Sequence, residues 1–178
     1  MIRDDTFVLT LRMDELSFAR LDEWRRRHFP PDVNFIPAHL TLFDALTPEQ
    51  VSRLEDAHAG IGSQSVPLQF VRPFLIGRGV AIAVARGELT ALQGRLRDAL
   101  GPGLSRQDRA TFHPHVTIQN KVTREDAKAT FAWVASNFEP WSGRGIGLDV
   151  WRYHGAKWAP HSHLEFSVSA RCRSCSEW

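Results

Sequence analysis

A histidine followed by an aliphatic residue, a threonine and a second aliphatic residue occurs twice, once in each half of the chain: His39-Leu40-Thr41-Leu42 and His115-Val116-Thr117-Ile118. An imidazole with an unperturbed pKa of roughly 6.5 can take or give a proton near neutral pH. Two of them on opposite sides of a phosphorus atom meet the needs of an in-line displacement. One removes a proton from the attacking oxygen and the other protonates the departing oxygen. The threonine two positions on carries a hydroxyl that can donate to a non-bridging oxygen as its charge grows in the transition state. His39, Thr41, His115 and Thr117 are therefore the candidate catalytic residues, and no metal is required by their chemistry.

For this chemistry the two motifs must face one another. Each lies in a short apolar and β-branched run that reads as a strand, along which side chains alternate between faces. With Leu40, Leu42, Val116 and Ile118 turned into a core, His39, Thr41 and Phe43 share the opposite face of one strand. His115, Thr117 and Gln119 share that of the other. Burying this second face as well would leave two imidazoles and two hydroxyls in need of internal partners, at a cost of a few kcal/mol for each one unmet. A polar cleft between the strands avoids that cost.

The elements that would position the motifs follow from periodicity and caps. Thr6 to Met13 reads as a strand, and Asp14 as the N-cap of a helix with Leu21, Trp24 and His28 on one face, stopped by Pro30-Pro31. After the first motif, Thr47, Pro48 and Gln50 form the start of a capped helix with Val51, Leu54, His58 and Ile61 as its buried stripe. A hairpin is expected from Val66 to Gly77 and Val80 to Ala85 about the Gly77-Arg78-Gly79 turn. The second half repeats the grammar: a helix from Glu88 to Leu100, a Gly- and Pro-bearing loop, the second motif, and a helix capped at Thr123 with Ala127, Phe131, Val134 and Phe138 along one face. Two late strands, Gly145 to His154 and Ser162 to Ala170, complete it. Because the motif precedes a capped helix in both halves, the pattern is that of a duplicated α+β unit.

Composition narrows the partners. A chain of 178 residues can bury a core without staples, and 43% hydrophobic with 24% charged residues is a globular balance. The net charge of +2 is too small for an extended nucleic-acid footprint, and a small phosphorylated ligand remains open. No apolar run approaches the roughly 20 residues that span a bilayer, and the acidic start does not resemble a signal peptide. A cytoplasmic monomer is expected. Cys172 and Cys175 supply only half of a tetrahedral zinc site and are expected to be an incidental tail pair.

The motifs His39 to Leu42 and Phe112 to Ile118 resemble the paired H-x-[ST]-x motifs of the 2H phosphoesterase superfamily, in particular its branch similar to 2′-5′ RNA ligases and RNA 2′,3′-cyclic phosphodiesterases. The resemblance runs through the whole chain, residues 1–178, in motif spacing and element order. It implies a single bilobal α+β domain: two pseudo-symmetric lobes, each an antiparallel sheet with outer helices, around a central cleft. It also implies metal-free, cofactor-free opening of 2′,3′-cyclic phosphates on RNA ends or nucleotides, with 2′-5′ RNA ligation as a companion activity. Members often carry a basic residue directly after the second motif. Here Gln119 and Asn120 stand there, and Lys121 is expected to take the phosphate charge. Phe43, Gln119 and Lys121 are thus the candidate substrate-binding residues.

Two other classes compete. A metal-binding enzyme could use the pairs His113/His115 and His161/His163 with His154. A binding module without turnover could stack bases on Phe43, Phe112, Trp151, Tyr153 and Trp158 and meet phosphates with Arg106, Arg109, Arg152 and Lys157. The first leaves both threonines without a role, and the second does not require two histidines. His28 and His58, on helix faces, read as packing or capping residues.

Overall fold

The structure, a computed structural model, describes residues 6–61, 65–154 and 157–166. The cysteine pair and the far end of the last expected strand lie outside the described residues. In chain order the elements are β1 (Phe7–Met13), α1 (Glu15–His28), a 3-10 turn (Pro31–Val33), β2 (Leu40–Leu46), α2 (Pro48–Ile61), β3 (Val66–Leu75), β4 (Val80–Val84), α3 (Gly87–Leu100), β5 (His115–Gln119), α4 (Arg124–Asn137), β6 (Trp141–His154) and β7 (Lys157–Glu165).

All strand pairings are antiparallel, in the order β1-β2-β5-β4-β3-β6-β7, with a further pairing of β1 to β6. The long strand β6 makes this closure possible. Its first residues, Trp141 to Gly145, pair with β3, and from Gly145 to Arg152 it pairs with β1. The sheet therefore has two halves, β2-β1-β6-β7 and β5-β4-β3-β6, that share β6 on one side. On the other they meet at the β2–β5 seam, where Leu40 pairs with Val116. This is the two-lobed α+β arrangement expected from the repeated pattern, with the lobes joined into one sheet.

The helices begin where their caps predict. Asp14 accepts from the amide of Ser17 at 3.0 Å, and its other oxygen takes the amide of Arg144 on β6 at 2.7 Å. Thr47 and Gln50 form a reciprocal capping box at 3.0 and 3.3 Å, and Thr123 accepts from the amide of Asp126 at 3.1 Å. Such caps contribute about 1 kcal/mol each. Leu89, Leu92, Leu96 and Leu100 of α3 are all buried, as are Val51, Leu54 and Ile61 of α2. α2 packs on α3, and His58 reaches the carbonyl of Glu165 on β7 at 2.9 Å. α1 lies on β5 and α4 on β3 and β4, with Trp24 of α1 edge-on to Trp133 of α4. His28 packs against the same Trp133.

Two expectations shift at the ends. β6 begins at Trp141, four residues before the expected Gly145, because those residues add the β3 pairing. β7 begins at Lys157 rather than Ser162, since its first residues pair with the end of β6. Among the described residues no helix is long and apolar enough to cross a membrane.

Candidate active site

The two motifs occupy neighbouring strands. Leu40 and Val116, each fully buried, are paired across the β2–β5 seam. In an antiparallel pair, one step to either side of that register sets His39 across from Thr117 and Thr41 across from His115. All four are half-buried and point away from the core that Leu40 and Val116 enter. The two histidines are thus diagonal neighbours, for which about 7–8 Å is the usual backbone separation. Each ring has a threonine of the other motif at its side.

Both imidazoles are held in the same way. Nδ1 of His39 is 2.7 Å from the carbonyl oxygen of Pro37, and Nδ1 of His115 is 2.7 Å from the carbonyl oxygen of His113. A carbonyl only accepts, so Nδ1 carries the proton in each ring, and Nε2 is the atom that changes protonation state. Burial holds His39 down to about 4, reinforced by the positive charge of Arg25 and by His115, against the opposing bond to Pro37. His39 is therefore a neutral imidazole at pH 7, with a lone pair on Nε2.

A cavity of about 390 Å³ opens on His39 and Thr41. Lys121 lies in its wall as expected; it is exposed and adopts φ 62° just past the end of β5. Phe35, Tyr153 and Trp158 supply aromatic surface, the last two packed edge to face at 5.0 Å.

Two expected binding residues lie elsewhere. Phe43 is fully buried, because β2 carries an extra residue between Thr41 and Phe43: Thr10 pairs with Thr41, but the adjacent Leu9 pairs with Phe43. This bulge breaks strict alternation, sends both Leu42 and Phe43 into the core, and turns Asp44 to the cavity instead. Gln119 is also buried: its Nε2 donates to the carbonyl of His28 at 3.2 Å and to Thr130 Oγ1 at 2.8 Å, fastening β5 to α1 and α4.

Three charged residues at the site were not anticipated. Arg25 is buried in the cavity wall; Nε donates to Asn34 Oδ1 at 2.8 Å and Nη1 to the carbonyl of Thr117 at 2.7 Å. Burial pulls its guanidinium down to about 10, with Asp22 opposing, so it stays charged at neutral pH. Asp22, also buried, accepts from the amide of Ala38 at 2.9 Å, directly before His39. One turn of α1 thereby grips both motif strands. A signal for Arg25 exists in the sequence: it falls within the Leu21, Trp24, His28 stripe, where a charge needs a buried partner. Asp44 is the third. Its carboxyl is pushed up by burial and by Asp108 and drawn down by His115, and its oxygen takes a bond from Gln107.

The model of the 2′-5′ RNA ligase superfamily, whose members are 2H phosphoesterases, matches residues 13–157. The chain belongs to this superfamily. Solved structures agree on the fold: LigT of E. coli in complex with 3′-AMP is 18% identical, with a TM-score of 0.58 over 93% of this chain and 99% of that one. The protein TT0787 of Thermus thermophilus is 14% identical, with a TM-score of 0.58 over 92% and 99%. Usb1 of Kluyveromyces marxianus with uridine monophosphate is 14% identical, with a TM-score of 0.51 over 91% and 98%. No protein of curated function matches the sequence.

Three of the histidines weighed above as metal ligands have other contacts. His115 is bound to a carbonyl, His161 lies edge-on to Phe7 at 4.9 Å, and His163 Nδ1 meets Asp149 at 2.7 Å. Among the described residues no group of three or more His, Cys, Asp or Glu side chains converges as a metal site.

Proposed function

We propose that this 2H phosphoesterase opens 2′,3′-cyclic phosphates on RNA ends or nucleotides, without a metal, as a single bilobal domain acting as a cytoplasmic monomer. The observation that carries the proposal is the Leu40–Val116 pairing, which brings both His-x-Thr motifs to one seam. His39 is the base: Nε2 takes a proton from water as the water oxygen bonds to phosphorus. The bond from phosphorus to one ribose oxygen breaks, and His115 delivers the Nε2 proton of its imidazolium to that oxygen. The non-bridging charge is met by the Thr41 and Thr117 hydroxyls, with Lys121 and Arg25 as cations. Phe35, Tyr153 and Trp158 offer faces for the base. The nucleotides in the LigT and Usb1 complexes are consistent with such a ligand.

The test is hydrolysis of nucleoside 2′,3′-cyclic phosphates in the presence of excess EDTA, with the released monophosphate identified. Turnover that persists is the expected result. Activity that EDTA abolishes and zinc restores, or nucleotide binding without any turnover, overturns it.

A further inference from the structure

On the His115 side the wall of the site is built by β3 and β4, and the proposed phosphoryl chemistry gives it no role. Phe70, fully buried, pairs with Val84, but the next pairing along β3 is Arg72 with Ala83. Val71 is the extra residue, and this bulge resets the alternation, turning Arg72 and Phe74 away from the core. Ala83 pairs in turn with His115, and Ala81, the partner of Phe74, pairs with Thr117. Residues paired across strands share a face, so Arg72, Phe74, Ala81 and Ala83 lie on the face that carries the second motif. The Phe74 ring meets the His115 imidazole edge to face, with centroids 5.9 Å apart and planes at 83°. The guanidinium of Arg72, an exposed side chain, lies over the same phenyl ring at 5.8 Å.

We infer that Phe74 is the positioning residue of His115, holding the imidazole so that Nε2 points at the departing oxygen. This rests on the proposed phosphodiesterase function, in which His115 delivers the proton. The bond to the carbonyl of His113 anchors Nδ1, but one anchored atom leaves the ring free to swing about it. A second contact, arriving across the sheet, fixes the plane of the ring and with it the direction of Nε2, on which proton transfer depends. Aromatic pairs favour the edge-to-face arrangement, so the phenyl ring supplies a directional contact without claiming the nitrogen that must stay available. The sequence makes room for that contact. Phe74 and His115 stand on strands two apart, about 10 Å between backbones, and their rings can meet because the β4 residues between them on this face are alanines. Ala81 is fully buried although it lies on the motif face, which a ring crossing over it accounts for. Arg72 covers the phenyl ring in turn.

The experiment measures kcat and KM on adenosine 2′,3′-cyclic phosphate, and the order of the His115 ring by 13C NMR relaxation in the free protein. Phe74→Leu keeps an apolar side chain but removes the ring, and Phe74→Tyr keeps the ring. Ala83→Leu, at a half-buried position, puts a branched side chain between Phe74 and His115, and Arg72→Ala removes the exposed cation. The expected result is a kcat at least tenfold lower in Phe74→Leu and in Ala83→Leu with KM within twofold of wild type. Phe74→Tyr should recover most of this loss, and Arg72→Ala should lose less than threefold. The order of the His115 ring should fall in Phe74→Leu and hold in Phe74→Tyr, a difference that a merely structural phenyl ring would not produce. A kcat of Phe74→Leu within threefold of wild type overturns the assignment. A raised KM at unchanged kcat also overturns it, by making the ring a substrate contact. So does a loss in Arg72→Ala as large as that in Phe74→Leu and carried by KM in both, which would make this wall an anion site. Should the wild type turn over no cyclic nucleotide, the phosphodiesterase proposal fails and the ring order decides by itself: a fall in Phe74→Leu supports the positioning of His115, and an unchanged order overturns it.

Discussion

Arg25 donates from Nη1 to the carbonyl oxygen of Thr117 at 2.7 Å, joining α1 to the second motif strand. Three residues earlier on the same helix, Asp22 holds the amide of Ala38 at the entry to the first motif. Neither helix side chain belongs to a motif, yet together they set the two histidine-bearing strands relative to one another. Arg25 has a second effect, because its charge helps to keep His39 neutral.

Replacing Arg25 should therefore change both rate and pH dependence. Hydrogen bonds to charged groups contribute about 1.5–3 kcal/mol, so Arg25→Met should lower kcat/KM about ten- to a hundredfold. The base must be neutral, so the rate falls as pH drops through the His39 pKa of about 4. Removing a neighbouring cation makes protonation easier, which moves this acidic limb to higher pH. A pH–rate profile of Arg25→Met whose acidic limb coincides with wild type would separate Arg25 from His39.

His39→Ala and His115→Ala should each lower kcat by at least a hundredfold, the usual scale for a lost general acid or base. The double variant should fall little further, because both rings serve one displacement. Thr41→Val should cost less than either. Single-turnover rates measured on one cyclic nucleotide test the set, and full additivity of the two histidine losses would argue against a concerted pair.

Phe43 tests the bulge in β2. As a fully buried side chain it should cost about 3–5 kcal/mol of stability when truncated in Phe43→Ala. Phe43→Leu should remain folded with KM unchanged. A raised KM in the folded leucine variant would put the ring in the substrate cavity instead.

Gly79 tests the contact between β4 and the end of β5. A Cβ at this position would overlap the carbonyl oxygen of Gln119, a backbone atom that cannot swing away. Gly79→Ala should lower stability by roughly 1–3 kcal/mol or more, as overpacking does, and reduce turnover through the displaced strand of His115. Urea denaturation with a midpoint equal to wild type would contradict this.

Much of the frame is local and therefore legible. Asp14, Thr47 with Gln50, and Thr123 each mark a helix start through bonds made within a few residues, and the leucines of α3 mark its buried face by spacing alone. The candidate chemistry was equally visible, because the residue types of His39, Thr41, His115 and Thr117 repeat in the same order. Alternation along the second motif strand points to Lys121, and Lys121 lines the cavity although Gln119, on the same expected face, does not.

The sequence by itself determined the elements, their caps and the duplicated motif, since each depends on neighbours in the chain. Only the tertiary structure decided which faces meet. Strict alternation failed at Phe43 because a bulge depends on the pairing partner, β1, rather than on β2's own residues. Gln119 left the cleft because α1 and α4 offered its amide partners that lie far from it along the chain. Arg25 and Asp22 entered the site for the same reason: a buried charge settles where long-range packing brings carbonyls and amides to it, and that arrangement exists only once the helix has docked on the sheet.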